Sequence, residues 1–513
     1  MQRRAATTTA ARHVAPARAA VGSRPSRPSA RVRARRAGQE APADEGALRE
    51  LAGVQARARE RLRERAGLEV QGAHTSVEEA SVGLAVKVRA TCELLERGLL
   101  ERETEVRLLV LAALCGEHLL LLGPPGTAKS ELARRLSKVC RGRYFERLLT
   151  RFSVPEELFG PLSMKGLEDD RYERQIEGYL PTAEVAFVDE VFKANSAILN
   201  ALLTLLNERL FDNGTERLRA PLLCLVGASN ELPESEELDA LYDRFMIRKE
   251  VRQVSGHGLR DLARLAAGGA THREFEADSP PLALEDFAAC RDRAVAAVEV
   301  PDRVLDLLVA LREHLQDKCE PPVYVSDRRF TKCVTILQVA AYANGQAYID
   351  VYDCLLLQHL LGQRPGDDEK VRSFVLDTIA NDPALLQAEL TLLGLFGRAI
   401  RAIERGGAAA DAELEGEVAA LAEVLFEQEA LARATLDKGF PSLTNSPWFG
   451  PQQVAAAIQV VAPQLKENRA KVEGLLEEAL LVQEALRGAS PGVLERLLPK
   501  RLKQYEKGVL QKQ

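Results

Sequence analysis

The sequence predicts an α/β domain with a parallel sheet, followed by helical segments, and three stretches support this prediction. Four consecutive leucines at 119–122 precede GPPGTAKS (123–130) and then a helix-forming run. VAFVDE (185–190) and APLLCLVGASN (220–230) are apolar runs that end in polar side chains. Buried parallel strands have nearly continuous apolar sequence, and ligands bind at the carboxyl ends of such strands. We therefore expect a ligand site where these three strands end.

Two further strands complete the predicted sheet. YFERLLT (144–150) and FMIRKEV (245–251) are short strand-forming runs, and helix-forming segments separate most of the strands along the chain. Strands that alternate with helices form parallel sheets. The segment ERLFDNGTERLRA (208–220) contains Asn213 and Gly214, a pair that favours a type I′ turn, so we expect a hairpin before the fourth strand.

The stretch GPPGTAKS nearly matches the phosphate-loop pattern G-x-x-x-x-G-K-[ST], within the strand, loop and helix that the pattern requires. Backbone N–H groups of such a loop bind the β-phosphate at a helix N-terminus. Lys129 would contact the β- and γ-phosphates, and the Ser130 hydroxyl would ligate Mg²⁺. The predicted nucleotide-binding residues are Gly123, Pro124, Pro125, Gly126, Thr127, Ala128, Lys129, Ser130 and Glu131.

Ala128 stands where the pattern has its second glycine. Glycine is needed where φ is positive or where a Cβ would collide. The residue before Lys129 should begin the helix, where φ is negative, and alanine then fits and favours the helix. We therefore expect Ala128 to have a negative φ and the loop to be functional, with a chance match as the alternative.

The run VAFVDE places Asp189 and Glu190 at the end of a predicted strand. Asp189 would hold Mg²⁺ through its water shell, and Glu190 would orient or deprotonate the attacking water. Asn230, after the fourth strand, could lie between the two motifs and fix that water near the γ-phosphate. The alternatives are a surface acidic pair and a turn or cap asparagine.

Two arginines follow these motifs in order, Arg244 in LYDRF and Arg328 in SDRRF. Guanidinium groups stabilise the negative charge that develops on a transferred phosphoryl group, so both are candidate catalytic residues. A single arginine is more often part of a surface ion pair, which is the alternative for each of them.

The run from 151 to 234 resembles the AAA+ ATPases of the MoxR family, and TRFSVPEELFGPLS, GYLPTAE, NALLTLLNER and ASNELPE are most similar to its RavA type. The resemblance covers residues 77–362. It implies an α/β P-loop AAA+ core with a parallel sheet and a helix-2 insert at 151–182, followed by an α-helical lid. The helical pattern after that adds an α-helical C-terminal domain.

The resemblance also implies a role for each motif. Lys129 and Ser130 match the Walker A motif of the family, and Asp189 and Glu190 match its Walker B motif. Asn230 matches the sensor 1 residue. The implied cofactors are ATP and Mg²⁺.

The resemblance implies that catalysis needs two subunits. Arg244 matches the arginine finger, which acts on the nucleotide of the neighbouring subunit, and Arg328 matches the sensor 2 arginine, with Arg329 the weaker match. Such ATPases form ring hexamers and couple ATP hydrolysis to the remodelling of a client protein. RavA has a β-rich insertion, and no such stretch occurs in 370–513, so its client is not transferred to this chain.

Composition divides the chain into five predicted regions. These are an organelle transit peptide (1–39), a linker and charged, solvated helix (40–76), a nucleotide-binding subdomain (77–254), a helical lid (255–365) and a helical C-terminal domain (366–513). Residues 1–39 contain ten Arg and neither Asp nor Glu, which is typical of transit peptides, with a disordered basic tail as the alternative. Their Pro and Ser content favours the chloroplast over the mitochondrion.

Composition also argues against several classes of protein. The chain of 513 residues carries −6, and about −16 without those ten arginines, so general nucleic-acid binding is not expected. No apolar run reaches 18 residues, so we expect no transmembrane helix. The eight cysteines form no C-x-x-C pair, so neither a zinc site nor a disulfide framework is predicted.

The leading hypothesis is an ATP-hydrolysing ring motor of chaperone type, and three alternatives remain. The first is the ATPase subunit of a plastid magnesium chelatase, which a porphyrin-metallation assay would detect. The second is a scaffold that binds ATP without hydrolysing it, which a phosphate-release assay would reveal. The third is a nucleic-acid motor, which the acidic composition opposes.

Overall fold

The computed structural model describes residues 45–66, 79–267, 275, 280–380, 383–405 and 411–510. The predicted transit peptide at 1–39 lies outside these residues. The chain divides into two compact units, Met1–Gly53 and Val54–Gln513. In the first unit, residues 45–53 are helical and begin helix α1 (Glu45–Ala66). No helix in the described ranges is long and apolar enough to cross a membrane.

Within the described residues, seven strands form a five-stranded parallel sheet and a separate hairpin. The strands are β1 (Leu119–Leu122), β2 (Tyr144–Leu148), β3 (Val185–Asp189), β4 (Leu210–Asn213), β5 (Glu216–Arg219), β6 (Cys224–Ser229) and β7 (Ile247–Glu250). The sheet has the order β2-β3-β6-β1-β7, and each neighbouring pair is parallel. All five predicted strands of the sheet are therefore confirmed.

Helices cover both faces of this sheet, which is why its central strands are apolar. The helices of this part are α2 (Glu79–Glu96), α3 (Glu103–Cys115), α4 (Lys129–Cys140), α5 (Glu156–Phe159), α6 (Met164–Glu168), α7 (Ser196–Glu208), α8 (Glu236–Arg244) and α9 (Gly258–Ala267). Successive side chains of β1 point to opposite faces. Leu119 and Leu121 are buried with α3 and α4, and Leu120 is buried with α7 and α8.

The hairpin β4–β5 is present as predicted, but its turn is shifted by one residue. Asn213 pairs with Glu216 as part of the ladder, so the central turn residues are Gly214 and Thr215. Gly214 has φ +65°. The side chain of Asn213 accepts a hydrogen bond from the Arg174 N–H at 2.7 Å, because the hairpin lies against the insert at 151–182.

The predicted lid is helical and shares its core with one face of the sheet. After α9, its described α-helices are α10 (Leu284–Ala297), α11 (Asp302–Glu313), α12 (Asp327–Ala343) and α13 (Gln358–Leu361), and α14 (Asp367–Ala380) follows the predicted limit of 365. Helix α12 begins where it does because the Ser326 hydroxyl accepts a hydrogen bond from the Arg329 N–H, an N-cap interaction.

The C-terminal part is a helical bundle, and its described residues contain no strand. Its helices are α15 (Pro383–Arg405), α16 (Asp411–Asp437), α17 (Pro441–Thr444), α18 (Pro451–Leu486), α19 (Val493–Leu497) and α20 (Pro499–Leu510). The part of α1 from Val54 onward packs on this bundle, with Val54 and Ala58 buried, and Arg57 pairs with Glu484 at 3.0 Å. Most of the other described side chains of α1 are exposed or half-exposed, as expected for a charged helix, and Val54 and Ala58 form a short buried stripe.

The only tryptophan of the chain ties this C-terminal part to the lid. Trp448 is 1% exposed, and its indole N–H donates to the Ala340 carbonyl of α12 at 2.9 Å. Arg89 of α2 donates to the Asn445 carbonyl at 2.8 Å. Helix α14 also packs into the lid core, so the packing does not change at the predicted boundary of 366.

Candidate nucleotide-binding site

Three strand ends meet at one edge of the sheet and bring the sequence-predicted residues together. Because β6 lies between β1 and β3, Asn230 follows a strand that separates the phosphate loop from Asp189. The Asn230 side-chain amide donates to Glu190 Oε1 at 2.8 Å. The Gly123 N–H donates to the Ser229 carbonyl at 3.0 Å, which fixes the start of the loop to β6.

The loop that follows β1 is folded tightly around the Lys129 ammonium. Lys129 Nζ donates to the carbonyls of Gly123 and Pro124, the latter at 3.0 Å, and the Thr127 hydroxyl donates to the Pro124 carbonyl at 3.0 Å. A Cβ at Gly123 would lie 2.2 Å from the Val251 carbonyl oxygen. Only glycine fits there, so this position of the pattern has a steric cause.

Ala128 differs from its prediction. It has φ +65° and ψ +23°, the left-handed conformation, and helix α4 begins only at the next residue. The expected negative φ is wrong because Ala128 is the turn residue that precedes the helix, not its first helical residue. A left-handed alanine costs roughly 1–2 kcal/mol, so neighbouring contacts must hold it.

The electrostatic environment of Lys129 has two opposing parts. The side chain is buried, which lowers its pKa because burial disfavours the charged form. The carboxylates of Asp189 and Glu190 oppose this effect and raise the pKa. Two carboxylates and one ammonium therefore face the same space, which can receive a polyphosphate and a divalent cation.

Asp189 and Glu190 are held by their own backbone. The Glu190 N–H donates to Asp189 Oδ1 at 3.0 Å, and Glu190 has φ +53°. Lys193, one turn later, pairs with Glu190 Oε2 at 3.3 Å. Glu190 thus has two side-chain partners, Asn230 and Lys193. The sequence predicted Asn230 near this motif, but not its bond to Glu190 and not Lys193.

The residues present fit Mg²⁺ and a nucleotide. The loop ends at the N-terminus of α4, where backbone N–H groups and the helix dipole favour phosphate. Ser130 in the first turn of α4 and Asp189 at the end of β3 could hold Mg²⁺, which with phosphates needs only one or two protein ligands. Glu131 is ion-paired with Arg135 at 2.8 Å. The described residues contain no cluster of three or more His, Cys, Asp or Glu suited to a metal.

The two predicted arginines lie together at the opposite edge of the sheet. Arg244 ends α8, just before β7 begins, and Arg328 Nη2 donates to Asn207 Oδ1 at 2.6 Å near the end of α7. Burial lowers the pKa of Arg244, and the nearby charge of Arg328 lowers it further. The structure therefore brings these two arginines to each other.

The position of this second edge is fixed by an ion pair. Lys332, one turn after Arg328, pairs with Glu117 at 2.7 Å, and Glu117 lies two residues before β1. The phosphate loop follows the other end of β1. Strands of a parallel sheet begin at one edge and end at the other, so Arg244 and Arg328 lie away from the phosphate loop of their own chain.

Arg329 has a different environment from Arg328. It is 1% exposed and donates to the carbonyls of Leu360, Phe245 and Met246, with the Asp243 carboxylate at 3.1 Å. Its donors are thus used to join the lid to the strand region. Arg328 is half-buried and is therefore the more accessible of the two arginines.

Sequence reasoning missed Arg102. It is 5% exposed, and its Nε donates to the Thr127 carbonyl of the phosphate loop at 3.1 Å. It lies in LLERE, just before α3, and no known motif marks this position. The sequence offered one signal for Arg102, a charged residue directly before the apolar helix α3.

The insert at 151–182 exposes apolar side chains. Phe152 is 91% exposed, Met164 71% and Tyr172 62%. A bridge between Leu162 and Arg174 closes the insert on itself. An isolated exposed apolar residue is common, but three on one short insert mark it as a candidate contact surface.

Comparisons with known protein families agree with this geometry. Residues 86–291 match the model described as the MoxR domain in the MoxR-vWA-beta-propeller ternary systems, and residues 303–375 match the AAA lid domain. Residues 86–375 of the chain therefore contain a MoxR-family AAA+ ATPase domain with its lid. The lid match extends ten residues beyond the predicted limit of 365.

Parts of the chain are also similar to individual proteins. An uncharacterized protein of Methanocaldococcus jannaschii is 42% identical over 274 residues, which are 53% of this chain and 70% of that protein. Chaperone MoxR1 of Mycobacterium tuberculosis is 25% identical over 237 residues, 44% of this chain and 62% of its own. A crystal structure of a protein assigned as an ATPase, from Cytophaga hutchinsonii, aligns with 59% of this chain and 97% of its own, with TM-score 0.48 and 17% identity.

Proposed function

We propose that this chain hydrolyses ATP as part of a closed ring of identical subunits, a hexamer, and uses turnover to remodel or assemble a partner protein. Lys129 binds the β- and γ-phosphates, and Ser130 and Asp189 hold Mg²⁺. Glu190 activates the attacking water, with Asn230 fixing its carboxylate. Mg²⁺ supplies charge neutralisation of the phosphates when bound.

One observation carries this proposal: the phosphate loop and the arginine pair lie at opposite edges of one sheet. A single chain thus contains both halves of the site and cannot join them. A second copy that presents Arg244 and Arg328 to the phosphate loop completes the site, and repetition of this head-to-tail contact closes a ring. Arginine supplied by another subunit raises phosphoryl-transfer rates by about 10³–10⁵-fold, so turnover depends on assembly.

A subunit-mixing experiment tests the proposal. We expect Lys129→Ala and Arg244→Ala proteins each to release phosphate at about 1% or less of the unaltered rate. A one-to-one mixture should recover up to roughly a quarter of that rate, because only interfaces with an intact Lys129 on one side and an intact Arg244 on the other are active. The measurement is phosphate release at high protein concentration.

The matched control replaces the Arg244→Ala protein with one that carries both substitutions. That mixture contains no subunit with Lys129 and should stay inactive. A mixture of the single variants that also stays inactive, although both proteins assemble, would contradict the shared site. ATP binding by the unaltered protein without any phosphate release would support the ATP-gated scaffold instead.

We infer that the chain is of the RavA type, because its sequence motifs, such as TRFSVPEELFGPLS and ASNELPE, are most similar to that type. We also infer that its client protein belongs to a multiprotein system. The matching family is described from ternary systems that also contain a vWA protein and a β-propeller protein. A partner of either type is the first to test. The Glu190→Gln protein, held in its ATP state, should capture such a partner, and the Lys129→Ala protein, which cannot enter that state, is the control.

We propose a plastid location for the mature protein, because of the arginine-rich composition of residues 1–39. A fluorescent protein fused after residue 39 should enter chloroplasts. Entry into mitochondria instead would support the alternative organelle, and a cytosolic signal would leave residues 1–39 as a basic tail.

A further inference from the structure

Arg102 connects the phosphate loop to the chain that leaves the sheet. Its Nε donates to the Thr127 carbonyl at 3.1 Å, its Nη2 to the Arg252 carbonyl at 2.7 Å, and its Nη1 to the Glu101 carbonyl at 2.5 Å. All three acceptors are backbone oxygens, and within the described part of the chain no carboxylate pairs with Arg102. The guanidinium fork therefore holds three segments of backbone in one geometry.

The segment around Arg102 is itself fixed to the start of the lid. The Glu101 carboxylate accepts hydrogen bonds from the Ser255 N–H at 2.7 Å and from the Ser255 hydroxyl. The same hydroxyl accepts from the Gly258 N–H at the start of α9. These hydrogen bonds fix the position of the backbone next to Arg102.

The contact with Thr127 determines where the next N–H points. The Thr127 carbonyl and the Ala128 N–H belong to one trans peptide group, so they point in opposite directions. Arg102 also binds the Arg252 and Glu101 carbonyls, which lie outside the loop, so the Ala128 N–H should point away from these segments. Lys129 Nζ reaches the Gly123 and Pro124 carbonyls within the loop, where the phosphates would bind.

We propose that Arg102 is a positioning residue for phosphate binding: it holds the Thr127–Ala128 peptide group so that the Ala128 N–H faces the β-phosphate. This proposal rests on the proposed binding of ATP and names a further determinant of the same site. Arg102 touches neither phosphate nor water. It acts through the backbone of the loop.

The left-handed Ala128 makes this contact necessary. A glycine at 128 would adopt φ +65° without cost, whereas the Cβ of alanine resists it. Loss of the Arg102 contact should let this peptide group rotate and turn its N–H away from the phosphate. The role of Arg102 thus depends on which residue stands at 128.

The experiment measures ADP affinity by titration calorimetry, since ADP carries the β-phosphate and is not consumed. We expect Arg102→Gln to weaken ADP binding by about 10- to 100-fold, the effect of losing one charged hydrogen bond or more. Arg248→Gln is the matched control. Arg248 is also buried and donates to three backbone carbonyls, but none of them belongs to the phosphate loop.

The decisive variant combines Arg102→Gln with Ala128→Gly. We expect the added glycine to recover most of the ADP affinity that Arg102→Gln loses, measured against the affinity of the Ala128→Gly protein. A purely structural role of Arg102 would lower the melting temperature, and a glycine at 128 would not restore ADP binding. Should Arg102→Gln fail to fold, Arg102→Lys, which keeps the charge and loses the fork, takes its place.

The outcomes separate this proposal from the one on which it rests. Unaltered protein that does not bind ADP would overturn the nucleotide site itself. Unaltered protein that binds ADP, with Arg102→Gln and Arg102→Lys binding it equally well, would overturn the role of Arg102 alone. Equal losses in Arg102→Gln and in the combined variant would overturn the dependence on Ala128.

Discussion

The two edges of the sheet differ in how their polar side chains are satisfied. At the phosphate-loop edge, Lys129 donates to loop carbonyls, and Glu190 accepts from Asn230. At the other edge, Arg244 donates one hydrogen bond, to the Ala240 carbonyl, and its buried Nε has no partner within the described part of the chain. A buried donor without an acceptor costs free energy. These polar groups of the phosphate-loop edge are thus paired within the subunit, whereas the Nε of Arg244 is not, as the proposed contact with a neighbouring nucleotide requires.

The largest expected effect sharpens the first half of this comparison. Glu190→Gln keeps the hydrogen bond to Asn230 but removes the base, so we expect the phosphate-release rate to fall by about 10²–10⁴-fold. ATP affinity should stay within about threefold, because the phosphate contacts remain. Glu477→Gln, an exposed change in α18, is the control and should leave both quantities unchanged. Normal turnover by Glu190→Gln would remove Glu190 from the mechanism.

The second prediction concerns the arginine edge. Arg244→Ala should lower turnover by about 10³-fold while ADP affinity stays unchanged, because Arg244 lies away from the phosphate loop of its own chain. Phosphate release and calorimetry on the same preparation measure the two effects. A loss of ADP affinity as large as the loss of turnover would show that Arg244 contacts the nucleotide bound by its own chain. The two edges of the sheet would then not belong to separate nucleotide sites.

A smaller effect is expected for the residue that holds Arg328. Asn207→Ala removes the acceptor at 2.6 Å, and we expect turnover to fall by about 3- to 10-fold as Arg328 loses its fixed position. The control is Asn200→Ala, an exposed change on the same helix. If Asn207→Ala lowers turnover while Arg328→Ala does not, Asn207 acts by another route.

The smallest effect returns to the phosphate loop. Ala128→Gly removes the backbone strain of an alanine in the left-handed conformation, so we expect the free energy of unfolding to rise by about 0.5–1 kcal/mol. The rise is smaller than the strain itself, because glycine has more conformational freedom in the unfolded chain. Gly394→Ala, in the middle of α15 with open space around it, tests the opposite case of a helical glycine and should also stabilise the protein. Denaturant unfolding measures both. A destabilised Ala128→Gly protein would show that the loop does not strain Ala128.

Much of the fold could be predicted because strand residues and motif residues have local causes. The leucines of β1 and the run VAFVD are apolar because both faces of these strands are covered. A continuous apolar run of this kind can be recognised in the sequence alone. The hairpin at 210–219 was predicted, but its register was not, because Asn213 is held by the insert and not by the turn alone.

The C-terminal part shows where prediction from sequence ends. Its helices are evident, but the burial of α1 against it depends on residues more than 400 positions apart, such as Arg57 and Glu484. The contact of Trp448 with α12 was equally unpredictable, because no residue near SPWFG indicates that its indole N–H donates to the Ala340 carbonyl. Long-range contacts of this kind leave no periodic signal along the chain.

The sequence by itself determined the parallel sheet, the helical lid and the residues that gather at the phosphate loop, because each depends on short-range pattern and chain order. Tertiary structure alone decided three things. It put Arg244 and Arg328 at the far edge of the sheet, it gave Ala128 a left-handed backbone, and it brought Arg102 behind the loop. The physical reason is common to all three: a side chain's direction and a peptide group's orientation are fixed by partners distant in sequence, which GPPGTAKS alone does not contain.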